Sequence, residues 1–172
     1  MKRLVLCFIL LKTSFGFAQK DTSLDVFGNV DRLDLKLTNL LNSKVSTLKV
    51  NSLKGKAVIF DFGSINCRGC LKYLPDLEAL QERYPHQLQV IWITNDSKVQ
   101  LEAFLDSNIL GKAVNFPVMC QDTLFYGIFK PVAIPELYWI DTYGNIMAKT
   151  WPNLGSDTTM LKIVYSHFRN GS

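Results

Sequence analysis

Two cysteines three residues apart, in the run Cys67-Arg68-Gly69-Cys70, are the side chains of this 172-residue chain best placed to do chemistry. They follow an apolar run, Ala57-Val58-Ile59-Phe60-Asp61-Phe62, and open a segment in which Leu71, Leu74, Leu77, Leu80 and Tyr84 recur at helical spacing. The pattern predicts a buried strand that hands over to a helix ending before Pro85. The first N–H groups of a helix lack intrahelical partners and carry a partial positive charge, which stabilises a thiolate. Cys67 is therefore expected as a nucleophile and Cys70 as its resolving partner. Arg68 adds a full positive charge beside the sulfur and is expected to favour the thiolate further; a solvated, salt-screened side chain is the blander alternative. Half of a zinc site has the same spacing, but no second C-x-x-C and no nearby His pair completes four ligands. No metal and no cofactor are expected.

Asp61 lies six residues before Cys67 in an otherwise apolar run. It is expected to point into the interior beneath the helix, where burial raises the pKa of a carboxyl group. The competing reading is a carboxylate that reaches solvent or a backbone donor at the strand end.

The elements that must position these groups are legible around them. Leu35 to Thr38 and Val45 to Val50 alternate apolar and polar residues, with Asn42-Ser43-Lys44 as a turn, and predict a hairpin. Leu88 to Thr94 reads as a second buried strand, and Ser97 as the N-cap of a helix carrying Val99, Leu101, Phe104 and Leu105. A short helix is expected at 122–129, strands at 137–141 and 146–150 around the turn Thr142-Tyr143-Gly144-Asn145, and an amphipathic helix at 157–168. Two long apolar strands joined by a helix make a parallel βαβ unit. The terminal hairpin adds antiparallel strands, so the class is α/β, a mixed central sheet with helices on both faces and an N-terminal β-hairpin extension.

Lys2 and Arg3, the apolar stretch Leu4 to Leu11 and the small-residue end Gly16-Phe17-Ala18 read as a signal peptide at 1–18, followed by a linker or loosely docked arm at 19–33 and one domain at 34–172. The apolar stretch is shorter than the roughly 20 residues that span a bilayer, so no stable membrane insertion is expected after cleavage. The expected location is outside the cytoplasm, periplasmic if the source is Gram-negative. An exported C-x-x-C must be kept reduced by a partner or act as an oxidant. Hydrophobic residues at 48% and charged residues at 20% describe an ordinary globular chain, and no basic stripe interleaved with aromatics speaks for nucleic acid.

Taken in order, Leu53-Lys54-Gly55-Lys56, Cys67-Arg68-Gly69-Cys70, Pro75, Ile134-Pro135 and Asp141-Thr142-Tyr143-Gly144-Asn145 resemble the thioredoxin superfamily, in particular the exported thiol-disulfide oxidoreductases of the TlpA and ResA type. The resemblance spans roughly residues 34 to 168 and implies a thioredoxin-like fold. It implies that Asp61 accepts the proton of Cys70, that Pro135 is cis, and that the Ile134 backbone pairs with an extended substrate. It further implies disulfide-bearing exported proteins as substrates and a membrane electron-transfer protein as donor. Three departures stand out. Asn66 replaces the family's Trp before the first cysteine, Trp92 takes the place of a lysine that often accompanies the buried acid, and Glu136 follows the proline where many relatives carry Thr. Glu136 is expected to repel acidic substrates, and Pro75 to kink its helix rather than touch substrate. Cys120 reads most simply as a small buried side chain at a strand end. The leading expectation is a thiol-disulfide oxidoreductase that reduces other exported proteins. The alternatives are a scaffold module that keeps the fold with weak or no exchange, and a peroxiredoxin-like peroxidase, for which the chain lacks a Pro-x-x-x-Thr-x-x-Cys pattern.

Overall fold

The apolar run before the cysteines forms β4 (Ala57–Gly63), buried at all of its 7 positions, as a strand covered on both faces must be. The computed structural model describes Leu24 and residues 28–152. The other elements, in chain order, are β1 (Lys36–Leu37), β2 (Leu40–Leu41), β3 (Leu48–Lys49), α1 (Arg68–Arg83), β5 (Leu88–Thr94), α2 (Lys98–Ser107), α3 (Ile109–Lys112), β6 (Val118–Met119), α4 (Leu124–Phe129), β7 (Glu136–Ile140) and β8 (Ile146–Thr150), with single 3-10 turns at Val30–Leu33 and Val50–Leu53. The expected leader at 1–18 and closing helix at 157–168 lie outside the described residues. Among those residues, no helix is long and apolar enough to cross a membrane.

The main sheet runs β2-β6-β5-β4-β7-β8. β4, β5 and β6 are parallel, with Asp61 beside Trp92; β7 pairs antiparallel with β4 and β8 with β7, while β2 pairs antiparallel with β6. Alternation along β4 divides its side chains between two cores. Ile59 packs with Leu74 and Leu77 of α1, Trp92, and Leu101 and Phe104 of α2. Phe60 and Phe62 point the other way, into an aromatic cluster with Phe125 and Phe129 of α4 and Tyr138. Asp61 shares the Ile59 face and lies under α1.

The local sequence accounts for the element ends. Ser97 caps α2 by accepting the Gln100 N–H at 3.3 Å. α1 continues through Pro75, which lacks the N–H that Leu71 would have accepted, and ends at Tyr84 before Pro85. In the β7–β8 turn, Asp141 Oδ1 accepts the N–H groups of Tyr143 and Asn145 at 2.9 and 2.8 Å. Gly144 there has φ +84°, and a Cβ on it would stand 2.8 Å from the Asp31 carboxyl. Residues 28–33, the end of the expected arm, are docked on this turn: Val30 is buried and donates to Gly144 O at 2.8 Å.

The predicted N-terminal hairpin needs correction. Its two strands do pair, Lys36 opposite Lys49 and Leu37 opposite Leu48. The link between them is no three-residue turn, because Leu40–Leu41 leaves the pair to become the edge strand β2 of the main sheet. Asn39 and Asn42 flank this excursion with φ of 51° and 50°, the left-handed conformation that Asn tolerates better than most residues. Burial of Leu40 fixes the excursion.

Candidate active site

Cys67 and Cys70 form a disulfide with their Cα atoms 5.2 Å apart. Cys67 is the N-cap of α1, and its Sγ accepts the Cys70 N–H at 3.1 Å, so an orphan donor of the helix start points at the sulfur. The two thiols are unequal in access: Cys67 is partly exposed, whereas Cys70 is buried. The more accessible cysteine is therefore the one held by the helix N-terminus. Arg68 is exposed and forms no ion pair among the described residues. Its charge acts through water, so Arg68→Gly should slow alkylation of reduced Cys67 at neutral pH by no more than about threefold, and the difference should vanish at about 1 M salt. A larger, salt-resistant loss in a stopped alkylation series would contradict a screened role.

Ile134-Pro135 is a cis peptide, and the Ile134 carbonyl oxygen lies 3.7 Å from Cys67 Sγ. Gly69 faces the proline ring, with 3.6 Å between Pro135 Cδ and the position a Cβ would occupy. Beside them a groove of about 430 Å³ runs between α1 and the cis-proline loop, lined by Gly69, Tyr73, Asp76, Ile134, Pro135 and Trp151. Glu136 does not face it. The residue is buried, and its Oε2 accepts the Val132 N–H at 3.3 Å, so the carboxylate braces the loop before the proline instead of repelling acidic substrates.

Asp61 is buried, and burial pushes its pKa from 3.8 up to about 7. Its Oδ1 has no hydrogen-bond partner among the described residues, nor has Trp92 Nε1 on the neighbouring strand. An unpaired buried polar group costs roughly 1–3 kcal/mol, and such groups gather where function demands them. Trp92 lies at the register position beside Asp61, as the sequence places it, and its indole fills the space over Gly63, where a Cβ would come within 2.3 Å of Nε1. Cys120 is fully buried at the end of β6, 3.2 Å from Asn39 O, and burial, the largest influence on it, pushes its thiol pKa up. It is a core side chain. No group of His, Cys, Asp and Glu among the described residues is arranged to hold a metal ion.

Three contributors escape the sequence reading. Asp96 accepts hydrogen bonds from the loop before Cys67, Tyr126 donates to Gly63 O at 3.1 Å, and Glu136 turns inward. The signal for the first was available: Asp96 follows the C-terminal end of a parallel strand adjacent to the cysteine strand, the end where α/β sheets place their sites.

A partly exposed cysteine on a helix N-terminus, its buried disulfide partner, and a facing cis-proline on this sheet order define a thioredoxin-like protein with a paired C-x-x-C. The chain belongs to the AhpC/TSA family, whose profile matches residues 32–149. It is 27% identical over 117 residues to the thioredoxin-like protein YneN of Bacillus subtilis; the match covers 66% of this chain and 65% of that protein, so the chain spans just under two thirds of its relative's length. Among solved structures it resembles a Chlorobium tepidum protein given the name thiol:disulfide interchange protein DsbE (TM-score 0.67, 20% identity, 84% of this chain and 98% of that one). AhpC of Enterococcus faecalis is similar in the same way (TM-score 0.65, 14% identity, 84% and 94% covered). At these identities the two structures speak for the fold.

Proposed function

We propose that this protein is an exported thiol-disulfide oxidoreductase that reduces disulfides of other exported proteins. The observation that carries the reading is the partly exposed Cys67 sulfur, bonded to Cys70, on a helix N-terminus and 3.7 Å from the Ile134 carbonyl. In the reduced protein the Cys67 thiolate attacks a substrate disulfide, and one substrate sulfur leaves as thiolate. Cys70 then gives its proton to Asp61 and attacks Cys67 Sγ. The Cys67–Cys70 disulfide closes and the second substrate thiolate departs, so the substrate gains the two electrons that the pair loses. A dithiol donor in the membrane restores the reduced pair. An extended substrate backbone lies along Ile134 and Pro135, and the groove beside Tyr73 and Trp151 takes its side chains. The signal peptide read at 1–18 supports export, and the thiol:disulfide interchange name of one structural relative fits the same reading.

The test is disulfide reduction of a protein substrate by wild type and Cys67→Ser. Turnover by wild type that the variant lacks is expected; equal background rates would leave a scaffold with this fold. The likeness to an AhpC structure favours a peroxidase as the second reading. Cys67-dependent consumption of hydrogen peroxide faster than disulfide reduction would establish it instead. Direction follows from the reduction potential of the couple: about −270 mV or lower fits a reductant, whereas about −180 to −120 mV fits an isomerase or oxidant.

A further inference from the structure

We propose that Asp96 is a positioning residue for Cys67: its carboxylate holds the Gly63–Cys67 loop that presents the nucleophile. This rests on Cys67 being the exchanging thiol.

The loop between β4 and α1 contains Ser64, Ile65 and Asn66 and no aromatic side chain; Ile65 packs against the core, and the polar groups beside it are held by hydrogen bonds. Its backbone donors can be followed one by one. The Ile65 N–H donates to Asp96 Oδ2 at 2.8 Å. The Asn66 N–H donates to Ser64 Oγ at 3.1 Å, and that hydroxyl donates to Asp96 Oδ1 at 3.0 Å. The Cys67 N–H donates to the Ser64 carbonyl at 3.1 Å. Three consecutive N–H groups thus lead to Asp96 directly or through Ser64, and the last belongs to the nucleophile.

Asp96 is itself held from both sides. The Thr94 hydroxyl donates to Oδ2 at 2.6 Å, and the Asp96 N–H donates to Thr94 Oγ1 at 2.9 Å. Its carbonyl accepts the Gln121 N–H at 3.0 Å, while the Asp122 N–H donates to Thr94 O at 3.0 Å. The anchor is therefore tied to the end of β5 and to the turn before α4. From α4, the Tyr126 hydroxyl holds the other end of the loop at Gly63 O. Burial first, and then the carboxylates of Asp61, Asp96 and Asp122, hold that phenol above the usual range, so it stays a donor. Hydrogen bonds to a carboxylate are short and strong, and a displacement of about 1 Å at a reacting atom can cost on the order of 100-fold in rate. Free movement of this loop would carry the sulfur away from both Cys70 and the Ile134 carbonyl.

Asparagine can reproduce the arrangement. Its Oδ1 can accept from Ile65 and Thr94, and its Nδ2 can donate to Ser64 Oγ, which has a second lone pair. Alanine removes the three side-chain contacts, to Ser64, Ile65 and Thr94, and keeps the two made by the Asp96 backbone. Two quantities report on positioning: kcat/KM for disulfide reduction, and the equilibrium constant of the Cys67–Cys70 couple against glutathione, both measured on protein shown folded by near-UV circular dichroism. D96A should lower each by about tenfold or more, and D96N should restore both to within about threefold of wild type. Ser64→Ala, which cuts the same chain at one link, should lower both several-fold and supplies the test should D96A not fold. Wild-type constants in folded D96A or S64A would overturn the proposal, as would a folded D96N as impaired as D96A. The glutathione equilibrium is defined whether or not the protein turns over substrate, so failure of the oxidoreductase reading and failure of this inference give different results.

Discussion

Cys70→Ser is expected to stop the proposed cycle halfway and leave the substrate covalently attached to Cys67. Cys67 is the accessible sulfur and Cys70 the buried one, so the first attack survives the substitution and the second does not. Without an adjacent thiol, release depends on external thiols at millimolar concentration. An intramolecular nucleophile commonly exceeds such a reagent by more than about 10³-fold, and turnover should fall by that order. Non-reducing electrophoresis should show a mixed disulfide that is absent in wild type and in a Cys67→Ser, Cys70→Ser double variant. In extracts, mass spectrometry of the trapped species would identify clients. A Cys70→Ser protein that turns over at the wild-type rate without an adduct would remove Cys70 from the cycle.

The second large effect concerns stability. A carboxyl group whose folded pKa is raised contributes stability that is fully present below its unfolded pKa and is lost as pH rises through the folded value. For Asp61 those values are 3.8 and about 7. The oxidised protein, whose paired cysteines do not titrate, should therefore lose stability between about pH 4 and pH 7 through this group, by an upper bound of about 4 kcal/mol. Asp61→Asn should flatten that slope and be the more stable protein at about pH 8, while resolving mixed disulfides more slowly because the proton acceptor is gone. Urea unfolding of both proteins across the range checks the first part; parallel profiles would show that Asp61 does not titrate as its burial requires. Rapid-quench kinetics of the mixed disulfide checks the second, with unchanged resolution refuting the proton-acceptor role.

Most of the frame around the cysteines was legible because its elements are long enough to display a period. β4 and β5 each run for 7 residues, and α1 shows its apolar stripe over 16. Asp61 stood out as the one charge in an apolar strand, and the structure buries it. The edge of the sheet was not legible: β2 and β6 have 2 residues each, too few to alternate, and their pairing joins positions 79 apart along the chain at Leu40 and Met119. Glu136 was misread because every residue of β7 is buried, so alternation could not tell which face its carboxylate takes. Asp96 looked like an ordinary residue ahead of the Ser97 cap; its role depends on the parallel register that brings the end of β5 beside the end of β4.

The docking of the N-terminal segment also sets an order on folding. Val30 is bonded to Gly144, Ile146 to Gly28, and Leu40 pairs with Met119, so residues 28–30 and β2 take their sheet partners from the last third of the chain, whereas β1 pairs locally with β3. During synthesis from the N-terminus, Lys36 and Leu37 can pair early with Lys49 and Leu48, but residues 28–30 and β2 wait for their sheet partners until residues 118–146 have emerged, and closing such long loops is slow. The small β1–β3 pair can therefore close early, whereas the main sheet is completed in a late step, once the strands that receive residues 28–30 and β2 are available.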